Sequence, residues 1–195
     1  MSLIVIEGSN GSGKTEIVNR MTKKYDIIDK KSIPDWYRSE IEFARKCPFD
    51  IQKEIYLYGH KANYLECDKE QNYIFDRYAY STIIRINYEL GKPVEETINE
   101  IINYKYKPDL IIVLKSNKEK IKKRLASRYN FDFNEDFYNY ENQIYEYLST
   151  ICDIMFIVNN NGNIDDTIEI MSSIINQNIK VRKKVNHERR IWVCS

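Results

Sequence analysis

An α/β domain built on a parallel sheet of about five strands flanked by helices is the fold class this sequence predicts, on three observations. Short, wholly apolar runs rich in β-branched residues recur along the chain, and each is followed by a stretch with helical spacing. Strands of that kind are buried on both faces, and the helices between them cross over to cover those faces. The first apolar run leads directly into the glycine-rich string Gly8-Ser9-Asn10-Gly11-Ser12-Gly13-Lys14-Thr15. Finally, 195 residues with 43% hydrophobic and 30% charged content have the ordinary balance of one globular core.

Leu3–Ile6 reads as the first buried strand, and a helix opens near Gly13 with Ile17, Val18 and Met21 on one face. Tyr25–Ile28 is a second, shorter strand. Pro34 breaks the chain, and helices are predicted over Asp35–Phe43 and Phe49–Leu65, the latter with Ile51, Ile55, Tyr58 and Ala62 at helical spacing. Asn72–Phe75 is a strand running into Asp76-Arg77-Tyr78, followed by helices at Tyr80–Glu89 and Val94–Asn103. Lys107-Pro108 introduces the strand Asp109–Leu114. Helices at Lys118–Ser127 and Asn134–Leu148, the strand Ile154–Val158 and an amphipathic helix at Ile164–Ile175 complete the series. No repeat and no linker divides residues 1–179, which are read as one domain. The segment 180–195 carries six basic residues and one acidic, then Ile191-Trp192-Val193, and reads as an edge strand, an interface segment or a disordered end.

A net charge of +1 supplies no long-range field for a polyanion or a charged membrane, so neither bulk nucleic acid nor a membrane is expected as partner. The opening MSLIVIEG lacks a basic n-region and a cleavage site, and no stretch approaches the roughly 18 apolar residues of a membrane span. Cys47, Cys67, Cys152 and Cys194 are far apart without C-x-x-C pairing, which argues against structural zinc or a disulfide framework and fits a reducing cytoplasm. Sixteen tyrosines are many, and core or half-exposed packing accounts for them better than base stacking does.

The chemistry starts at Gly8–Thr15, a G-x-x-x-x-G-K-[ST] pattern after a strand and opening a helix. Gly8, Gly11 and Gly13 permit a tight loop. Consecutive backbone N–H groups, including those of Asn10 and Ser12, then converge on one concavity that binds a polyphosphate. Lys14 reaches the β- and γ-phosphates of ATP or a close relative, and the Thr15 hydroxyl ligates magnesium. A guanine-specific switch protein would need N-K-x-D after a later strand. Asn117-Lys118-Glu119-Lys120 lacks that aspartate and falls where a helix begins. Asp76 ends a strand at the carboxyl edge of the sheet, where open α/β folds bind ligands, and can hold magnesium or accept a proton. Arg77 has the planar fork that matches phosphate oxygens. Ser81 faces a sugar or simply caps a helix. Arg124 and Arg128 lie four apart on one helical face.

Ile4-Val5-Ile6-Glu7-Gly8 running into Gly11-Ser12-Gly13-Lys14-Thr15, Asp76-Arg77-Tyr78-Ala79-Tyr80-Ser81, Lys107-Pro108-Asp109-Leu110 and Arg124-Leu125-Ala126-Ser127-Arg128 occur in the order and spacing of thymidylate kinases. Over residues 3 to 175 the chain resembles the thymidylate kinase and deoxynucleoside kinase branch of the P-loop kinases. The resemblance implies a P-loop kinase fold with a helical lid over about 124–140, magnesium as cofactor and a homodimer. It also implies Arg124 near the donor adenine, Arg128 near its phosphates, Arg38 clamping an acceptor monophosphate, and Asp35, Trp36, Tyr78 and Ser81 around the acceptor.

The chain departs from that pattern on the acceptor side. Asn10 stands where aspartate is usual, Ala62 at the thymine-stacking arginine and Ile84-Arg85-Ile86 at A-Y-Q. Phe133 replaces the second lid arginine, Tyr140-Glu141-Asn142 the R-V-R, and Ile33 the glutamate of nucleoside kinases. Three readings follow. The first is a cytoplasmic ATP-dependent kinase for a deoxynucleoside monophosphate, thymidylate first. The second is a kinase for a nucleoside or another small hydroxylated acceptor, with Asp35 or Asp76 as base. The third is a nucleotide-binding module whose catalysis has lapsed.

Overall fold

The computed structural model describes residues 2–127 and 133–179. In chain order the elements are β1 (Ser2–Glu7), α1 (Lys14–Lys24), β2 (Ile28–Asp29), α2 (Arg38–Ala44), α3 (Phe49–Leu65), β3 (Asn72–Asp76), α4 (Ala79–Glu89), α5 (Val94–Asn103), β4 (Leu110–Lys115), α6 (Lys118–Ala126), α7 (Glu135–Ile151), β5 (Met155–Asn159) and α8 (Ile164–Asn178). The sheet order is β2-β3-β1-β4-β5, and every pairing is parallel. β1 is central, with β3 and β4 on opposite sides, so crossovers diverge from its carboxyl end and leave a crevice there.

Alternation along β1 builds both halves of the core. Leu3 and Val5 face one layer with Ile83, Ile84, Ile98 and Ile144, while Ile4 and Ile6 face the other with Ile17, Met21, Met171 and Ile175. All four of those β1 residues are 0% exposed, which fixes the strand's register against its neighbours. Ile6 pairs with Asp76 and Glu7 with Val113, so the ends of β3 and β4 flank the glycine-rich loop. Tyr25, Tyr78 and Tyr145 are among the largest fully buried side chains, so a share of the tyrosines belongs to the core.

The α7 and α8 helices run three residues beyond the sequence reading, and two element starts differ from it. Tyr25 is the C-cap of α1, its N–H bonded to the Met21 carbonyl at 2.9 Å. The strand pairing with β3 is Ile28–Asp29 instead. Tyr25 and Ile27 are buried while Asp26 and Ile28 are exposed, so the alternation is real but the segment is an edge with only two ladder positions. After Pro34 the chain makes a 3-10 turn, Asp35–Tyr37, before α2 begins. Asn117 caps α6, its side chain accepting the Lys120 N–H, which is the local role of the string set aside above. None of the described helices is long and apolar enough to cross a membrane.

Candidate active site

The glycine-rich loop is shaped by contacts no side chain tolerates. Gly8 has φ 124, and a Cβ there would lie 2.3 Å from the Leu114 carbonyl oxygen. Gly13 has φ 100 and is the N-cap of α1 without a side-chain cap, which leaves the first N–H groups of the helix turned outward. Two distant residues brace the loop. Asn160, after β5, donates to the Ser12 carbonyl at 2.7 Å, and Arg124, from α6, donates to the Gly11 carbonyl at 2.8 Å. The Ser12 hydroxyl is buried and has no partner among the described residues, which leave it unsatisfied within the cradle.

Lys14 lies across this loop, donating to the Gly8 carbonyl at 2.8 Å and the Ser9 carbonyl at 2.9 Å. Burial, reinforced by Arg77 and opposed by Asp76, Glu141 and Glu7, pushes its pKa down to about 7. Thr15 donates its hydroxyl to Asp76 Oδ2 at 2.6 Å. That carboxylate–hydroxyl pair at the mouth of the cradle suits magnesium, which takes one or two protein oxygens and completes its shell with water and phosphate. Arg77 adopts φ 75, in the left-handed region, and donates to Asn10 Oδ1 at 2.6 Å. Strain of that kind persists where the surroundings over-determine it.

The surroundings in question centre on Glu7, a residue the sequence reading left as a strand end. Its carboxylate is fully buried, accepting from the Tyr78 N–H at 2.9 Å, the Ser81 N–H at 3.4 Å and the Tyr145 hydroxyl at 3.1 Å. It therefore caps the N-terminus of α4 from a neighbouring strand and pins the chain just after Arg77. Burial raises its pKa to about 7; Arg77, Lys14 and the Tyr145 hydrogen bond work the other way and Glu141 adds to the rise. Glu141 of α7 is a second buried acid, accepting from the Ser9 hydroxyl at 2.5 Å. The available sequence signals were a charged residue closing an apolar strand and an acid at a helix position facing the core.

Lys14, Thr15, Asn10, Asp76 and Arg77 thus converge on one cavity of about 550 Å³, whose far wall includes Asp29, Lys30 and Lys31. Asp35, Trp36 and Arg38 do not line it. Asp35 is ion-paired with Lys31 at 2.6 Å, Trp36 is 58% exposed and donates to Glu66 Oε1 at 2.8 Å, and Arg38 opens α2 on the surface. The Tyr78 ring packs against Phe75, His60 and Tyr104 with no exposed surface, and Tyr78 does not line the cavity. Ser81, half-buried, donates to the Tyr78 carbonyl at 3.0 Å. Arg128 and the tail 180–195 lie outside the described residues.

Two further cavities adjoin. One of about 270 Å³ is lined by Ser9, Asn10, Arg85, Phe137 and Glu141. Another of about 430 Å³ lies between α3 and α4, with Arg45, Phe49, Gln52, Tyr56, Thr82 and again Arg85 on its walls.

No protein-family model matches this chain, and no curated protein matches its sequence. Solved structures do. The deoxyadenosine kinase from M. mycoides with bound dCTP superposes with a TM-score of 0.60 at 22% identity, covering 90% of this chain and 99% of that one. The same enzyme with bound dATP gives 0.62 at 20%, covering 89% and 99%. Thymidylate kinase from Candida albicans gives 0.64 at 18%, covering 94% and 96%. The chain has the deoxynucleoside kinase and thymidylate kinase fold. Within that nucleotide kinase fold, the loop after β1 and the end of β3 meet at the carboxyl edge of the sheet, where the polar groups described above are gathered.

Proposed function

We propose that the protein is a magnesium- and ATP-dependent kinase that transfers the γ-phosphoryl group to a deoxynucleoside monophosphate. The observation carrying this reading is the convergence of Lys14, the Thr15–Asp76 pair and Arg77 on one cavity beneath a glycine cradle. Phosphoryl transfer depends on positioning and on neutralising charge, and these groups supply both. The loop N–H groups hold the donor phosphates. Lys14 releases the Gly8 and Ser9 carbonyls to meet them, where anionic oxygens favour its protonated form. Thr15 and Asp76 would hold magnesium, which neutralises phosphate charge when bound. Arg77 spans donor and acceptor phosphates, kept in place by Asn10 and, through the backbone, by Glu7.

The monophosphate acceptor is supported by Lys30 and Lys31, which line the cavity beside Asp29 and pair with Glu66 and Asp35 outside its lining, so that an entering phosphate would compete for two cations already at the wall. A phosphate oxygen, with a second pKa of about 6, is already ionised at neutral pH and attacks without a base. As the new P–O bond forms, the bond from the γ-phosphorus to the β–γ bridging oxygen breaks and ADP leaves. An unphosphorylated acceptor needs a base, yet Ile33 stands at the glutamate position, Asp35 is engaged by Lys31 away from the cavity, and Asp76, which lines it, is engaged by the Thr15 hydroxyl in the pair assigned to magnesium. A lapsed module is disfavoured by the convergence of Lys14, Thr15, Asp76 and Arg77 on one cavity. Ala62 and Ile84-Arg85-Ile86 replace residues that select thymine in the resembling family, so the base is not carried over from it.

We also infer a homodimer through α3. Ile51, Ile55, Tyr58, Ala62 and Leu65 repeat at alternating spacings of four and three, a helix-packing seam, and Ile51, Tyr58 and Leu65 are 46%, 54% and 62% exposed.

The test of the reaction is ADP release from Mg-ATP with a panel of nucleoside monophosphates, nucleosides and small alcohols. Monophosphates alone should turn over, and turnover only with unphosphorylated acceptors would sink the proposal. Lys14→Ala should lower kcat by at least about 100-fold with unchanged thermal unfolding.

A further inference from the structure

Resting on the nucleotide-kinase reading, we propose that the acceptor's base is guanine, read in the cavity between α3 and α4 by Arg45, Arg85, Gln52 and Thr82. At about 430 Å³ the cavity lies within the usual range for small-molecule sites. Phe49 and Tyr56 supply apolar ring surface for a planar ligand. The polar groups decide which one.

Arg45 and Arg85 are exposed and, among the described residues, neither side chain has a hydrogen-bond or ion-pair partner. Two unengaged guanidinium forks therefore offer only donors. Gln52 donates its amide Nε2 to the Cys47 carbonyl at 2.9 Å. A backbone carbonyl only accepts, so the amide orientation is fixed and Oε1 is left as a free acceptor. Thr82 is fixed by a similar chain. His60 Nδ1 lies 2.9 Å from the Ser32 carbonyl and must carry the proton there. His60 Nε2 therefore accepts, and the Thr82 hydroxyl, at 3.0 Å, donates to it. With its proton committed, the Thr82 oxygen can only accept. The cavity thus combines arginine donors with an amide and a hydroxyl acceptor.

Guanine is the complement of that set. O6 and N7 lie side by side as acceptors and match one arginine fork bidentately. The N1–H and the amino group are donors for Gln52 and Thr82. Adenine and cytosine would turn an amino donor towards a guanidinium. Thymine has an acceptor O4 and an N3–H, but its methyl group lies where N7 would complete the arginine pair. The placement also suits a nucleotide. Arg85 lines both this cavity and the smaller one at Ser9 and Asn10. At 1.5 Å per residue, Arg85 lies roughly 9 Å along α4 from Ala79, the first helical residue after Arg77 and Tyr78, enough to separate a base from its 5′-phosphate.

The experiment compares kcat/KM for dGMP, dTMP, dAMP and dCMP with Mg-ATP, and their direct binding by calorimetry. The guanine nucleotide should lead the other three by on the order of 10- to 100-fold. Arg85→Met and Arg45→Met, which keep the apolar stem, should raise KM for dGMP by a similar factor and narrow the preference while KM for ATP stays unchanged. A lead for thymidylate, dAMP or dCMP overturns the inference, as does equal or absent binding of all four. Tight, Arg85-dependent binding of dGMP without turnover upholds the base assignment and defeats the kinase reading, so the two fail separately.

Discussion

At the scale of single residues, the acids and bases beneath the glycine loop are held in an unusual balance. Glu7 and Lys14 are both buried, and burial moves the pKa of each to about 7, from opposite directions. His60 gives the cleanest measurable consequence, because it stands apart from the phosphate cradle. It is buried between the Ser32 carbonyl and Thr82, and desolvation lowers its pKa from 6.5 to about 4. The unfolded chain therefore binds a proton between about pH 6.5 and 4 that the native state refuses. Stability from the neutral ring is complete above that window and is lost as pH falls through it, a loss of about 3 kcal/mol. Denaturant unfolding of the protein and of His60→Gln at pH 7 and pH 4 checks this. The stability gap between them should shrink on acidification, and a constant gap would contradict the assignment.

At the scale of elements, strand and helix positions were readable wherever the pattern was local. β1, β3, β4 and the helices that follow them lie within a residue or two of where apolar runs and helical spacing put them. β2 lies later than its alternation suggests, because that alternation starts inside the cap of α1 and the pairing covers only two positions at the sheet edge. The turn after β1 is the element most sensitive to substitution. Gly8→Ala would set a methyl group against backbone at β4, at a φ that alanine resists, and should destabilise by several kcal/mol. Gly91→Ala shares a positive φ of 67 but has nothing within 4 Å, so about 1 kcal/mol is expected. Urea midpoints of the two variants test whether the close approach, rather than the torsion alone, sets the difference.

At the scale of the whole molecule, the seam on α3 predicts association of two copies. Tyr58→Glu with Leu65→Glu places charge in that seam, and sedimentation should show a dimer for the parent chain and a monomer for the double variant. A parent that is monomeric at micromolar concentration would remove the inference. The same scale explains why the segment after β2 is harder to read from sequence than the glycine loop. Asp35, Trp36 and Arg38 lie in and just after the 3-10 turn at Asp35–Tyr37 and are absent from the cavity wall, whereas Lys30 and Lys31, directly after β2, line it.

What the sequence by itself determined is the glycine loop and its immediate surroundings. A strand, a glycine turn and a helix are consecutive, so eight adjacent residues specify the cradle through local torsions and N–H direction. Asp76 and Arg77 follow from the end of a strand that had to pair beside it. Only the tertiary structure decided that Arg124 and Asn160 brace the loop, that Glu7 caps α4, that Glu141 reaches Ser9 across 132 positions, and that Arg45, Gln52, Thr82 and Arg85 share one cavity. Those contacts depend on strand register and helix packing over long separations. A side chain's spacing fixes the face it occupies, but not the partner that the rest of the fold brings to that face.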